Sequence, residues 1–349
     1  MILLALACVT PPGLVGIDDP IDADEDGSDV TEDCDDLDPR RAPGLAERCD
    51  GIDNDCDGGL DLPECERSEA FVQTMSLDLL LVIDDSISMD EELAGVAASF
   101  PSLFPWIVGD DYDTHVGVIT MDMDDPDEQG RLIPANGHRF LDRSLSTEEA
   151  LDWANAAIQR PLDAGLYSER ALDAAKTALY EHSDAENSGF RRSDAHLSMV
   201  FVSDEDDEDS SLSALPFIEA IRALPGAGDF TAHAVVSRDE ACLQLPGHEY
   251  LAVAALTGGL TESICAGDYG QFLSAVGQVS AQQGLHERFL LEGPAQADSI
   301  DVRFEVGNEV VIHLDPEDHV LAGDHDTVVL LVPPPPAGSR VLVDYRILE

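Results

Sequence analysis

Short apolar runs punctuate the chain from residue 77 onward: LDLLLVI at 77–83, HVGVITM at 115–121, LSMVFVS at 197–203 and TAHAVVS at 231–237. Runs this short and this apolar predict strands buried on both faces. Stretches with helical spacing separate them, over 90–104, 148–158, 169–182, 211–224, 250–256 and 269–282. In the third of these, Leu172, Ala175 and Leu179 fall on one face. Strands alternating with helices predict an α/β fold, a doubly wound and mostly parallel sheet. Beyond Leu285 the period shortens to two in SIDVRFEV, EVVIHL, TVVLLV and RVLVDYRI, with PPPP interrupting them, which predicts a short antiparallel β tail. The residues before Glu66 follow neither period and carry Pro20, Pro39, Pro43 and Pro63, so they form a small loop-built module. The expected divisions are 1–17, 18–66, 67–284 and 285–349.

Charge narrows the function. Against 72 acidic residues stand 18 Lys and Arg, a net charge of −54. Such a surface repels nucleic-acid backbones and anionic lipid headgroups and attracts divalent cations. The acids are clustered, in IDADEDGSDVTEDCDDLD, GDDYDT at 109–114, MDMDDPDE and SDEDDED. At the start, MILLALAC places Cys8 after an apolar run and small Ala7, which resembles a bacterial lipoprotein signal. It departs from that pattern in Ala5, where Leu is usual, and in lacking a positive n-region. The resemblance implies a lipid on Cys8, a cell-envelope protein at the outer membrane, and membrane contact through that anchor only.

Two segments share a spacing. DADEDGSDVTED at 22–33 and DNDCDGGLDLPE at 53–64 both carry carboxylates at positions 1, 3, 5 and 12 and Gly at 6. Alternating oxygens wrap a calcium ion, Gly allows the sharp turn, and the last carboxylate closes the shell. The ligand sets are Asp22, Asp24, Asp26 and Asp33, then Asp53, Asp55, Asp57 and Glu64, with Asp61 placed to act through water. Helical periodicity flanks neither loop. EDCDD, PG and CDGIDNDCDG within this stretch resemble the metal-binding motif of MopE-type bacterial surface proteins. That family has been linked to copper as well as calcium, but all-oxygen ligands and the absence of His here favour calcium. In so small a module, metal and disulfides substitute for a core.

The first apolar run leads into DDSISM, where Asp84, Ser86 and Ser88 alternate. Ser88 with Glu91 reads as a capping box for the next helix. The same residues also leave a strand end with their oxygens converging, a site for Mg²⁺ or Mn²⁺ that keeps positions open. D-x-S-x-S after the first strand resembles the metal-ion-dependent adhesion site of von Willebrand factor type A domains. The resemblance covers about 77–284 and implies Asp204, after a later central strand, as the second acid. It also implies a protein ligand engaging the ion through an acidic side chain. One departure stands out: Leu166 occupies the place where the family has Thr or Ser, and Ile87 replaces a small Gly.

No G-x-S-x-G, H-E-x-x-H, Walker loop or G-x-G-x-x-G occurs, so an enzyme is not expected. Arg191 and Arg192 form a basic island that suits local ion pairs. Cys242 and Cys265, beyond Cys65 and flanking a helix, are expected to pair. Cys34, Cys49, Cys56 and Cys65 allow three connectivities, of which Cys34–Cys49 and Cys56–Cys65 close the shortest loops. Function divides between two readings, with a hydrolase of unrecognised type as a third. In one, a cell-envelope lipoprotein binds cations and mediates adhesion through the type A-like domain. In the other, a structural or cation-sequestering surface protein carries a degenerate, metal-free adhesion site.

Overall fold

The first two strands part company at once. β1 (Glu66–Val72) alternates exposed and half-buried positions, whereas β2 (Met75–Ile83) is buried along its whole length in the computed structural model. The structure describes residues 21–59, 65–109, 111–160, 170–207, 209–224, 230–238, 246–307 and 310–348.

β2 lies inside a five-stranded sheet with β3 (Tyr112–Thr120), β4 (His196–Val202), β5 (Phe230–Val236) and β6 (Thr261–Ser263), in the order β3-β2-β4-β5-β6. Every pairing is parallel. Successive β2 side chains feed opposite cores, as period two requires. Leu77, Leu79, Leu81 and Ile83 meet α1 (Asp90–Ser99), α3 (Thr147–Ile158) and α7 (Gly270–Gln283) through Leu93, Trp153 and Leu273. Leu80 and Val82 meet α4 (Ala171–Tyr180), α5 (Ala214–Arg222) and α6 (His248–Thr257) through Leu172, Phe217 and Tyr250. The expected doubly wound sheet is therefore present. The helix expected over 90–104 is not continuous: α1 stops at Ser99, a 3₁₀ turn covers Phe100–Leu103, and α2 (Phe104–Ile107) follows. Pro101 and Pro105 break the run, since each lacks an N–H and crowds the preceding turn. The charged residue buried within β2, Asp78, is held by Arg192, which donates from its backbone N–H at 2.6 Å and from Nε at 2.9 Å and also pairs with Asp113.

β1 belongs elsewhere. It pairs antiparallel with β12 (Arg340–Arg346), which pairs in turn with β8 (Asp301–Val306), and that with β9 (Val310–His313). A second sheet of β10 (His319–Ala322), β11 (Thr327–Leu330) and β7 (Arg288–Leu290) shares its core, built on Phe289, Val302, Phe304, Val328, Val341 and Tyr345. The expected boundary at 67 thus moves: residues 66–72 join the antiparallel unit, and the parallel sheet is inserted between β1 and β7. Entry and exit of that insertion touch, with Ser76 N–H donating to the Gly284 carbonyl at 2.9 Å. The β tail supplies every strand of these two sheets except β1, which precedes the insertion.

The N-terminal module is made of turns and bends. Its centre is Asn54, only 1% exposed, whose Oδ1 accepts from Arg48 N–H and whose Nδ2 donates to the Arg40 carbonyl. The disulfides are Cys34–Cys56 and Cys49–Cys65, which corrects the pairing expected from loop length. Loop closure is a weak arbiter, since doubling a loop costs only about 0.6 kcal/mol. The hydrogen bonds on Asn54 decide instead, folding 47–55 back so that Cys56 reaches Cys34. Ile347 N–H donates to the Cys65 carbonyl at 2.9 Å and Gln296 Nε2 to that of Cys49, docking the module on the sandwich. Cys265 is also disulfide-bonded, while its expected partner Cys242 lies outside the described residues. So do Cys8, Asp61, Glu64 and Leu166. Among the described residues, no helix is long and apolar enough to cross a membrane.

Candidate metal and adhesion sites

In sheet order, the first strand of the parallel unit has the second on one side and the third on the other. Between β2 and β4 the winding reverses, and such switch points hold ligands at the carboxyl ends of strands. Asp84 N–H extends the β2–β4 ladder by donating to the Val202 carbonyl at 2.9 Å. Its Oδ1 accepts from Ser86 N–H at 2.9 Å and its Oδ2 from the Ser203 hydroxyl at 2.8 Å. Ser86 Oγ and Ser88 Oγ share a hydrogen bond of 2.9 Å, and the Ser88 hydroxyl donates to Asp204 Oδ1 at 3.3 Å. Ser86, Ser88 and Asp204 are thereby joined through side-chain oxygens, and Asp84 is tied to the same turn through the Ser86 N–H.

The capping-box reading of Ser88 fails. α1 begins at Asp90 with Met89 as its N-cap and no side-chain cap, and Ser88 sits in a 3₁₀ turn with its hydroxyl committed to Asp204. A true capping box forms at Ser146 and Glu149, opening α3. Asp84 and Asp204 are each 2% exposed. Burial, followed by the charge of Asp84, pushes the Asp204 carboxyl up to about 6. Glu92 of α1, missed in the sequence, adds its charge to Asp204, and its Oε2 is buried without a hydrogen-bond partner among the described residues. The neighbouring Asp85 turns away towards Arg160, which also binds Glu128. Burial and Glu128 push its carboxyl up to about 7.

The two acidic loops adopt matching turns. Gly27 and Gly58 both have positive φ, +107° and +93°, and each donates its N–H to the first Asp of its loop: Gly27 to Asp22 Oδ2 and Gly58 to Asp53 Oδ2, both at 3.0 Å. Asp22, Asp24 and Asp26 bring carboxylate oxygens within 4.8 Å of one another. In the second loop the converging set is Glu47, Asp53 and Asp55. Glu47 was not anticipated: its Oε1 accepts from Asn54 N–H at 2.8 Å and Asp55 N–H at 3.0 Å, which presents Oε2 to the loop. Asp57 Oδ1 is tied to Gly59 N–H at 2.7 Å. A hard cation suits both loops, because Asp24 Oδ2, Asp26 Oδ2, Asp33 Oδ2 and Glu47 Oε2 are buried acceptors without a hydrogen-bond partner among the described residues. Asp33 also lies close to Cys34 and Cys56, but those sulfurs are bonded to each other and are not thiolate ligands.

Residues 33–61 match the family model Cu-binding_MopE, described as "Putative metal-binding motif". The match includes the whole of the second loop's first turn and only the last acid of the first loop. No curated protein matches the chain. Among solved structures, it is similar to a von Willebrand factor type A protein from Catenulispora acidiphila, at 12% identity and TM-score 0.38, over 81% of this chain and 65% of that one. Proximal thread matrix protein 1 from the mussel byssus aligns at 13% identity and TM-score 0.39, over 63% of this chain and 50% of that one. The pilus adhesin SpaC from Lactobacillus rhamnosus GG aligns at 11% identity and TM-score 0.36, over 81% of this chain and 41% of that one. The chain therefore spans less than two thirds of each of these proteins.

Beyond Asp204, the acidic run SDEDDED has a different use. Asp207 Oδ2 accepts from Leu172 N–H in the first turn of α4 at 2.8 Å, and Asp206 Oδ1 from Glu249 N–H in that of α6 at 3.0 Å. Glu249 Oε2 then accepts from Ala214 N–H at the start of α5, at 2.6 Å. These carboxylates satisfy helix N-termini.

Proposed function

We propose that this chain is a cell-envelope lipoprotein, anchored through Cys8, that binds divalent cations and mediates adhesion or protein–protein contact through the corner at Asp84. The observation that carries the reading is the chain Asp84–Ser86–Ser88–Asp204 at the switch point. Two buried carboxylates meet there, Asp84 held by the Ser86 N–H and the Ser203 hydroxyl and Asp204 by the Ser88 hydroxyl, and neither Ser86 nor Ser88 caps a helix through its side chain. Mg²⁺ or Mn²⁺ held by these four residues would offer its remaining positions to an acidic side chain of a partner protein. The loops at 22–33 and 53–58, with Glu47, would hold calcium and stiffen the module between anchor and binding unit. No catalytic step belongs to this reading.

The test is calorimetric titration of the full chain with Mg²⁺, beside Asp84→Ala. Heat in the wild type that the variant lacks supports an adhesion-type site. A second reading, a structural or cation-sequestering surface protein, is favoured by Leu166, whose side chain offers no ligand atom. It predicts calcium heat from the N-terminal module alone and identical magnesium traces for both proteins.

A further inference from the structure

β3 carries a polar side chain that its packing leaves unserved. Tyr112, Thr114, Val116 and Val118 alternate onto one face of the sheet, and Val116 and Val118 enter the core with Ile107, Leu141 and Ala150. Thr114 is only 2% exposed, yet its Oγ1 has no hydrogen-bond partner among the described residues. A buried hydroxyl in that condition is destabilising unless something else satisfies it.

Thr114 lines a cavity of about 350 Å³, within the size range of small-molecule sites. Ile107, Val108 and Leu141 give it apolar walls, and Arg143 stands on its lining. Arg143 is exposed and forms no ion pair among the described residues, in a chain with 72 acidic side chains. The cavity also reaches Ser146 and Thr147, where α3, a helix of 12 residues, begins. The capping box there takes up the N–H groups of Ser146 and Glu149, so attraction for a negative ligand rests on Arg143. Asp142 also stands on the lining, its Oδ1 accepting from Ser144 N–H at 2.8 Å, and Glu149 turns back onto Ser146.

We propose that this cavity binds a small carboxylate with an apolar tail. Arg143 pairs with its charge, Thr114 supplies a hydrogen bond, and the tail lies against Ile107, Val108 and Leu141. The cavity and the Asp84 corner share no residue, so this inference stands apart from the adhesion reading.

Hexanoate is the probe, with hexylamine as its charge-reversed counterpart, in saturation-transfer NMR and calorimetry on the full chain. Hexanoate should bind and hexylamine should not. Arg143→Gln should weaken hexanoate binding at least about tenfold. Thr114→Val should weaken it about fivefold without lowering the melting temperature, because the hydroxyl it removes has no partner in the protein. No hexanoate binding at millimolar concentration, equal binding by both variants, or preference for hexylamine would each overturn the proposal. Because Arg143 is exposed, its variant remains informative if Thr114→Val folds poorly.

Discussion

Asp24→Asn should change the first acidic loop in opposite directions with and without calcium. Asp24 sits among Asp22, Asp26 and Asp33; burial raises its carboxyl most, and the charges of those three raise it further. Without calcium, removing one of the clustered charges relieves repulsion, so the Gly27 N–H that closes the turn should exchange more slowly than in the wild type. With calcium, the variant lacks a ligand. Extracellular calcium modules bind at about 10⁻⁴–10⁻³ M. At about 10 mM calcium, mass action then stabilises the wild-type loop by about 1.4–2.7 kcal/mol, a slowing of exchange of about 10–100-fold. A tenfold loss of affinity in the variant removes about 1.0–1.3 kcal/mol of that. Hydrogen exchange of the peptide covering 22–33, read by mass spectrometry in EDTA and in calcium, measures both effects in the full chain. Wild-type exchange indifferent to calcium, or a variant slower in both conditions, would refute the reasoning.

Ser146→Ala should cost about 1 kcal/mol through loss of a real cap, whereas the cost of Ser88→Ala should fall away in an Asp204→Ala background, where its hydroxyl has lost that acceptor; a cost in thermal melts that persists there would restore the capping reading of Ser88. Asp204 and Asp85, pushed up to about 6 and about 7, bind protons in the folded state that the unfolded state releases. Their contribution to stability therefore rises as pH falls from about 7 towards the ordinary carboxylate range, while magnesium uptake at the corner declines; urea melts in EDTA that weaken between about pH 7.5 and pH 5.5 would count against it. A non-reduced digest should yield Cys34–Cys56 and Cys49–Cys65 peptides, with Cys242 joined to Cys265, and free thiols at any of these positions would break the scheme. Replacing Cys34 and Cys56 with Ser should cost about 3 kcal/mol in the chain-entropy model, visible as faster exchange across 34–56.

What could be read from the sequence was local. The apolar runs at β2, β4 and β5 announced a parallel sheet because strands buried on both faces tolerate few polar residues. Asp84, Ser86 and Ser88 were legible for the same reason, since alternation at a strand end is a short-range pattern. Glu47 was not, because it enters its loop from outside the twelve-residue repeat and is positioned by Asn54 N–H, seven residues on. The β1–β12 pairing joins the strands across the whole inserted domain, and no local pattern distinguishes an edge strand of one sheet from the start of the next. The choice between Ser88 and Ser146 as capping residues was equally invisible. Both sequences read S-x-x-E, and only the position of Asp204 draws Ser88 away from α1.

The acidity of the chain divides according to what the carboxylates meet. Asp206 and Asp207 of SDEDDED, and Glu249, meet helix N–H groups, so their charge is spent inside the fold on α6, α4 and α5. Asp78 meets Arg192. Those at 22–33 and 47–55 accept from peptide N–H groups of their own loops yet still converge on one another, leaving Asp24 Oδ2, Asp26 Oδ2, Asp33 Oδ2 and Glu47 Oε2 buried without a partner among the described residues. Asp84 and Asp204 fall between these cases: hydroxyls satisfy part of each, yet two buried acids still share one corner. If acidity served solubility alone, the charges would lie on open surface, where repulsion is screened and no oxygen needs a partner. They are instead drawn together at two separate places, one on loops stapled by disulfides and one at the switch point of a parallel sheet. Neutralising both by mutation should therefore raise metal-free stability while abolishing cation binding, which a purely solubilising surface would not do.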